Sequence, residues 1–150
     1  MNGTRRGVLS GSLAGALALT LLPHPVRAAS DARLAEAIRA AIGDAVPRDG
    51  GIELWLPELV DNGAQVPLAI TVASPMTQYD HIVAIHVFAP ANPTPGVASF
   101  RLFPGLARAE VETRIRVAED QDILVLARDS AGRVWRASSP VKVVHGGCRG

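Results

Sequence analysis

The sequence predicts an all-β protein: an immunoglobulin-like antiparallel β-sandwich with one short N-terminal helix and a flexible C-terminal tail. Three observations lead there. Beyond residue 50 the apolar residues recur at every second position, the period of a strand with one buried face. These runs follow one another at regular spacing, punctuated by Asn62-Gly63, Pro95-Gly96, Pro104-Gly105 and Ala131-Gly132. Seven or eight short strands in a mature chain of about 120 residues match the strand number and length of an immunoglobulin-like sandwich. The cysteine pair of that fold is absent, because Cys148 is the only cysteine in 150 residues.

Residues 1–28 are set aside from the fold. Thr4-Arg5-Arg6-Gly7-Val8-Leu9 is a twin-arginine pattern, and an apolar run from Val8 to Leu22 follows it. That run is shorter than the roughly 20 residues a membrane span needs, and Pro23 and Pro25 break it. Val26-Arg27-Ala28 supplies a signal-peptidase site. The expectation is a twin-arginine signal peptide, export of a folded chain, and a periplasmic location. The alternative is an uncleaved anchoring helix.

The elements then follow in order. Leu34, Ile38, Ala41 and Ile42 recur at helical spacing and Gly43 stops them, which predicts a helix over about 31–42 capped by Ser30. Pro47 to Gly51 is a turn. Ile52, Leu54 and Leu56 alternate with Glu53 and Trp55; Val66, Leu68, Ile70 and Val72 alternate with Pro67, Ala69 and Thr71. Residues 81–89 are apolar on both faces and read as a central strand. Val97 to Phe103 is a further strand. Val111, Thr113, Ile115 and Val117 alternate with Glu112, Arg114 and Arg116, giving one core face and one solvated face. Glu119 to Asp122 reads as a solvated turn. Asp122 to Arg128 and Arg133 to Ala137 form a hairpin over Asp129-Ser130-Ala131-Gly132, and Val141 to Val144 is a last strand after Pro140. Residues 81–89 and 123–127 together carry more apolar surface than one small sandwich can bury. That predicts a persistent partner docked on apolar strand surface.

Few residues offer chemistry. The formal charge is +1 for the whole chain and near zero without the leader, and no basic stripe suits a nucleic acid. His81 and His86 read as a strand-end and a packed histidine. Glu53, Glu58, Asp61, Glu110, Glu112, Glu119 and Asp120 are scattered, and no nucleophile motif or phosphate loop is present. His145-Gly146-Gly147-Cys148 is formally a His-x-x-Cys pair, too few ligands for zinc, so no metal is expected.

Cys148 is the exception. A lone thiol in an oxidising compartment is buried, paired between chains, or used. Gly146, Gly147 and Gly150 surround it on a terminal peptide with little to bury, which predicts a flexible, exposed tail over 146–150 after a domain of 29–145. Such a tail does not hold a catalytic geometry. It suits a tethered handle that carries a group covalently while other proteins act on it. No enzyme activity and no other cofactor are expected. The competing readings are an interaction domain whose cysteine forms an intermolecular disulfide, and a thiol enzyme with His145 as its base.

These residues resemble the SoxY family, the sulfur-carrier subunits of the periplasmic sulfur-oxidising (Sox) system. The resemblance rests on the leader, on Pro57-Glu58 and the stretch to Val66-Pro67 with its Asn62-Gly63, and on the late stretch ending Gly146-Gly147-Cys148. It implies an immunoglobulin-like sandwich, a heterodimer with a SoxZ-like subunit, and thiosulfate-derived sulfur held on Cys148. It also implies two transient partners: a c-type cytochrome complex that loads the thiol and a metal-dependent hydrolase that releases sulfate. Arg149 departs from the family's Gly-Gly-Cys-Gly-Gly ending. A cation beside the sulfur favours thiolate and a bound sulfonate, while its length obstructs a narrow channel. Arg149 and His145 are therefore the expected modulators, and a SoxY-like paralogue serving another oxidation system is the alternative.

Overall fold

A computed structural model describes residues 25–144. The leader up to residue 24, and His145, Gly146, Gly147, Cys148, Arg149 and Gly150, lie outside the described residues, so the expectations placed on them are not addressed by the fold. Among the described residues one helix, α1 (Pro25–Ile42), precedes nine strands: β1 (Arg48–Asp49), β2 (Ile52–Trp55), β3 (Leu59–Val60), β4 (Val66–Val72), β5 (Ile82–Phe88), β6 (Gly96–Arg101), β7 (Ala109–Ile115), β8 (Gln121–Asp129) and β9 (Val134–Val143).

The helix starts six residues earlier than its apolar spacing predicts. Pro25 suits a first turn, where a missing N–H costs nothing. Ser30 is therefore inside the helix and not its cap. Its hydroxyl donates to the Arg27 carbonyl at 2.8 Å, bonding back into the preceding turn. The other end is as expected: Gly43 takes φ 64° and its N–H donates to the Arg39 carbonyl at 2.8 Å.

The strands form two packed sheets, an immunoglobulin-like sandwich. One sheet has the order β1-β9-β8-β5-β6, with β3 also on β9; the other has the order β2-β4-β7. All pairings are antiparallel except those of β1 and β3, which run parallel to β9. The stretch 48–60 thus pairs with β9, crosses to the second sheet as β2, and returns to β9. It closes one side of the sandwich. The alternating residues meet between the sheets: Val66, Leu68 and Ile70 of β4, Ile85 and Val87 of β5, and Ile123 and Val125 of β8 are each at most 2% exposed. Burying each such side chain stabilises the fold by roughly 1.5–3 kcal/mol.

A second, smaller core lies on the outer face of the first sheet. Phe88 of β5, Leu126 of β8 and Val134 of β9 pack with Ile42, and Leu34 and Ile38 of α1 lean on them. This corrects the argument that β5 and β8 carry surplus apolar surface for a partner. Their second face is covered by the chain's own helix, whose stripe of Leu34, Ile38 and Ile42 supplies the matching surface.

Two predicted strands, 133–137 and 141–144, are one strand. β9 runs through Pro140, which stands opposite Asp122 of β8. The N–H groups of Lys142 and Val144 point toward β3, so residues of the same parity face that side. The donor that Pro140 lacks would therefore face the gap between β1 and β3, where no strand needs it. The hairpin before β9 forms as predicted. Burial alone would raise the Asp129 carboxyl, but the Arg133 side chain at 2.6 Å and the Arg133 and Ala131 amides bring it below its ordinary value.

His86 lies beside the helix, its Nδ1 2.9 Å from the Ser99 hydroxyl and its Nε2 buried without a partner. Burial, reinforced by the Arg128 guanidinium, lowers its pKa. The unfolded chain thus binds this proton more readily than the folded one. Stability is full above about pH 6.5 and declines as pH falls below it. The thermal midpoint of the wild-type chain is expected to drop between pH 7 and pH 5.5, and His86→Gln to flatten that slope. An unchanged slope in the variant would assign the dependence to another group.

Candidate functional site

The expected site is the tail, and the described chain leads to its root at Val144. β9 outruns its neighbour, since the β8–β9 register ends at Gln121 opposite Val141. The next three residues are held from two sides. Lys142 N–H donates to the Glu58 carbonyl at 2.8 Å and Val144 N–H to the Val60 carbonyl at 2.9 Å, both on the β3 side. On the opposite side Val143 N–H donates to Asp120 Oδ1 at 2.8 Å. A carboxylate takes the place that β8 no longer fills. Asp120 was expected as part of a solvated turn, and it is an exposed turn residue; it has in addition this specific acceptor role, while Gln121 and Asp122 of the expected turn already belong to β8.

β3 is itself fixed by the Asn62-Gly63 loop. Asn62 Oδ1 accepts from Ala64 N–H at 2.9 Å, a side-chain turn of the kind asparagine favours. The Gly63 carbonyl accepts from Val117 N–H at 2.7 Å. The two backbones lie so close that a Cβ on Gly63 would overlap the Val117 carbonyl oxygen and stand 3.2 Å from Val143 Cγ1. Glycine is required here by close approach, not by a left-handed backbone.

A polar hub supports the same end. Asn92, 7% exposed, donates from Nδ2 to the Arg116 carbonyl at 2.7 Å. Its Oδ1 accepts from Ala118 N–H at 2.9 Å and from Gln121 Nε2 at 3.2 Å. Gln121 Oε1 accepts from Ala91 N–H at 2.9 Å, and its Nε2 also donates to the Glu119 carbonyl at 3.0 Å. The loop at 91–92 and the loop leading from Arg116 into β8 are thereby tied together. Neither Asn92 nor Gln121 was singled out from sequence. Asn92-Pro93 looks like an ordinary turn pair, and no local pattern marks the burial of its amide.

The fold does not bring His81 or His86 to this end. His81 exchanges backbone and hydroxyl bonds with Ser130 at the far hairpin, and His86 faces the helix. Among the described residues no three His, Cys, Asp or Glu side chains gather as a metal site. Nor is any helix among them long and apolar enough to cross a membrane.

This end of the molecule defines its class: an immunoglobulin-like scaffold whose final strand runs past β8, paired with β3, so that the described chain reaches Val144 at one end of the sandwich. Within that class the chain belongs to the SoxY family. The family model described as sulfur oxidation protein SoxY matches residues 38–148, a span that ends on Cys148. Among solved structures, the sulfur carrier protein SoxY from Chlorobium limicola f thiosulfatophilum is 32% identical, with a TM-score of 0.64. The match covers 76% of this chain and 98% of that one. A superoxide reductase (neelaredoxin) from Ignicoccus hospitalis is 16% identical, with a TM-score of 0.56 over 63% of this chain and 81% of its own. A putative superoxide reductase from Thermotoga maritima is 18% identical, with the same TM-score over 66% and 95%. These two likenesses carry the sandwich fold alone. The comparison with curated proteins finds no match.

Proposed function

We propose that this chain is a periplasmic covalent sulfur carrier of the Sox system, with Cys148 as the attachment point and no catalysis of its own. The observation that carries the reading is the SoxY family match extending to Cys148, set beside a last strand held firmly up to Val144. The Chlorobium relative is described as a sulfur carrier protein. A carrier needs a rigid body and a reachable thiol, and a root four residues before the cysteine meets that need.

In the proposed cycle the Cys148 thiolate and thiosulfate join through a new S–S bond, giving Cys–S–S–SO3⁻ and releasing two electrons to a c-type cytochrome complex. A metal-dependent hydrolase then adds water to the terminal sulfur. The S–SO3 bond breaks, sulfate and two protons leave, and Cys–S–S⁻ remains on the carrier. Arg149 pairs with the carried sulfonate where a partner's pocket excludes water, and His145 stands near enough in sequence to modulate the same group. A SoxZ-like subunit completes the carrier. Because α1 covers the outer face of β5 and β8, that subunit docks on other surface.

Intact-mass spectrometry of protein from thiosulfate-oxidising cells tests the reading. Mass increments of sulfur or thiosulfonate, confined to the peptide with Cys148 and removed by thiol reductant, are expected. A disulfide-linked dimer with no such increments would replace the carrier by an interaction domain.

A further inference from the structure

The β8–β9 register ends at Val141, yet the chain stays bonded to β3 through Val144. From Val141 the cysteine is seven residues away; from Val144 it is four. Extended chain spans at most about 3.6 Å per residue, so the reach to Cys148 is at most ~25 Å from the first point and ~14 Å from the second. Whatever holds residues 142–144 therefore sets the working length of the arm.

We propose that Asp120 is a positioning residue that fixes this length, acting with the Glu58 and Val60 carbonyls as a collar around residues 142–144, the end of β9 and the residue after it. The bonds alternate. Lys142 and Val144 donate to β3 on one side, and Val143 donates to the Asp120 carboxylate on the other. A strand held on one edge only pivots about that edge, while acceptors on both edges prevent it. Asp120 is in turn placed by its neighbour Gln121, which the buried Asn92 amide holds, and β3 by the Gly63–Val117 contact. The purpose of a fixed arm rests on the carrier reading. The collar itself does not, and its test makes no use of sulfur.

Amide hydrogen exchange followed by NMR on the purified chain, wild type against Asp120→Ala, reads the collar directly. If the three bonds open together, losing the carboxylate speeds exchange at Lys142 and Val144 as well as at Val143. The expected factor is about five to ten, the worth of one net hydrogen bond. The amides of Ile85 and Val125 in the core are expected to keep their wild-type rates. Asp120→Asn retains an Oδ1 acceptor and is expected within about two-fold of wild type. Faster exchange at Val143 alone would mean that Asp120 merely satisfies one donor, and the proposal falls. Faster exchange in the core as well would assign Asp120 to general stability, which also overturns it. So would an Asp120→Asn effect as large as that of alanine, since the accepted bond would then not be the cause. Failure of any of these leaves the sulfur-adduct measurement untouched, and the absence of adducts leaves the collar untouched.

Discussion

Cys148→Ser is expected to abolish sulfur loading completely while changing stability by less than about 0.5 kcal/mol. The hydroxyl that replaces the thiol does not form the S–S bond on which the proposed cycle depends. The stability half of the prediction follows from position. Gly146, Gly147 and Gly150 flank the cysteine and bring no side chains to pack against it. Intact mass after exposure to thiosulfate and the loading cytochromes, measured beside the thermal midpoint, checks both halves. A sharp fall in the midpoint would make Cys148 a structural residue and end the handle reading. An adduct that survived the substitution would place the cargo on another group.

Gly63→Ala is expected to cost about 1–3 kcal/mol, through overpacking against backbone that has nowhere to move. The added methyl overlaps the Val117 carbonyl oxygen and presses on Val143. Relief requires breaking the 2.7 Å bond from Val117 N–H to the Gly63 carbonyl, and β3 shifts with it. The thermal midpoint should fall by roughly 4–12 °C. Gly96→Ala is the matched control. It opens β6 rather than lying in a loop, but like Gly63 it has no left-handed backbone, and a Cβ there meets nothing within 4 Å, so its effect should stay within about 0.5 kcal/mol. Equal midpoints for the two variants would show that the loop yields, and that the close approach is not a constraint. Because the loop carries β3, the Gly63 variant also gives an independent way to loosen the root of the tail.

The motif stretch from Pro57 to Pro67 takes on a different meaning in the fold. In sequence it is a signature of resemblance with no stated task. In space Glu58 and Val60 supply carbonyls to the last strand, Asn62 shapes the loop, and Gly63 lets it touch Val117. The motif lies far from the cysteine in the chain but grips the strand that leads to it.

The strands were legible because alternation is local. Val66, Leu68, Ile70 and Val72 declare their buried face within seven residues, and all four are buried. Gly43 ended the helix for an equally local reason, a left-handed φ that glycine tolerates. The single cysteine and its glycine setting were likewise plain from the chain alone. What the tertiary structure decided depends on residues far apart. The apolar second face of β5 and β8 looked like a docking surface until α1, some forty or more residues earlier in the chain, was found lying on it. Pro140 looked like a break until the side of β9 that lacks its donor proved to face a gap between β1 and β3. The acceptor role of Asp120 left no local trace because its partner, Val143, is 23 residues away, and the burial of Asn92 left none because its carbonyl partner, Arg116, is 24 away. Periodicity reports which way a residue points relative to its own neighbours. Which distant backbone group it meets is set by how the sheets and loops close, and no local pattern encodes that closure.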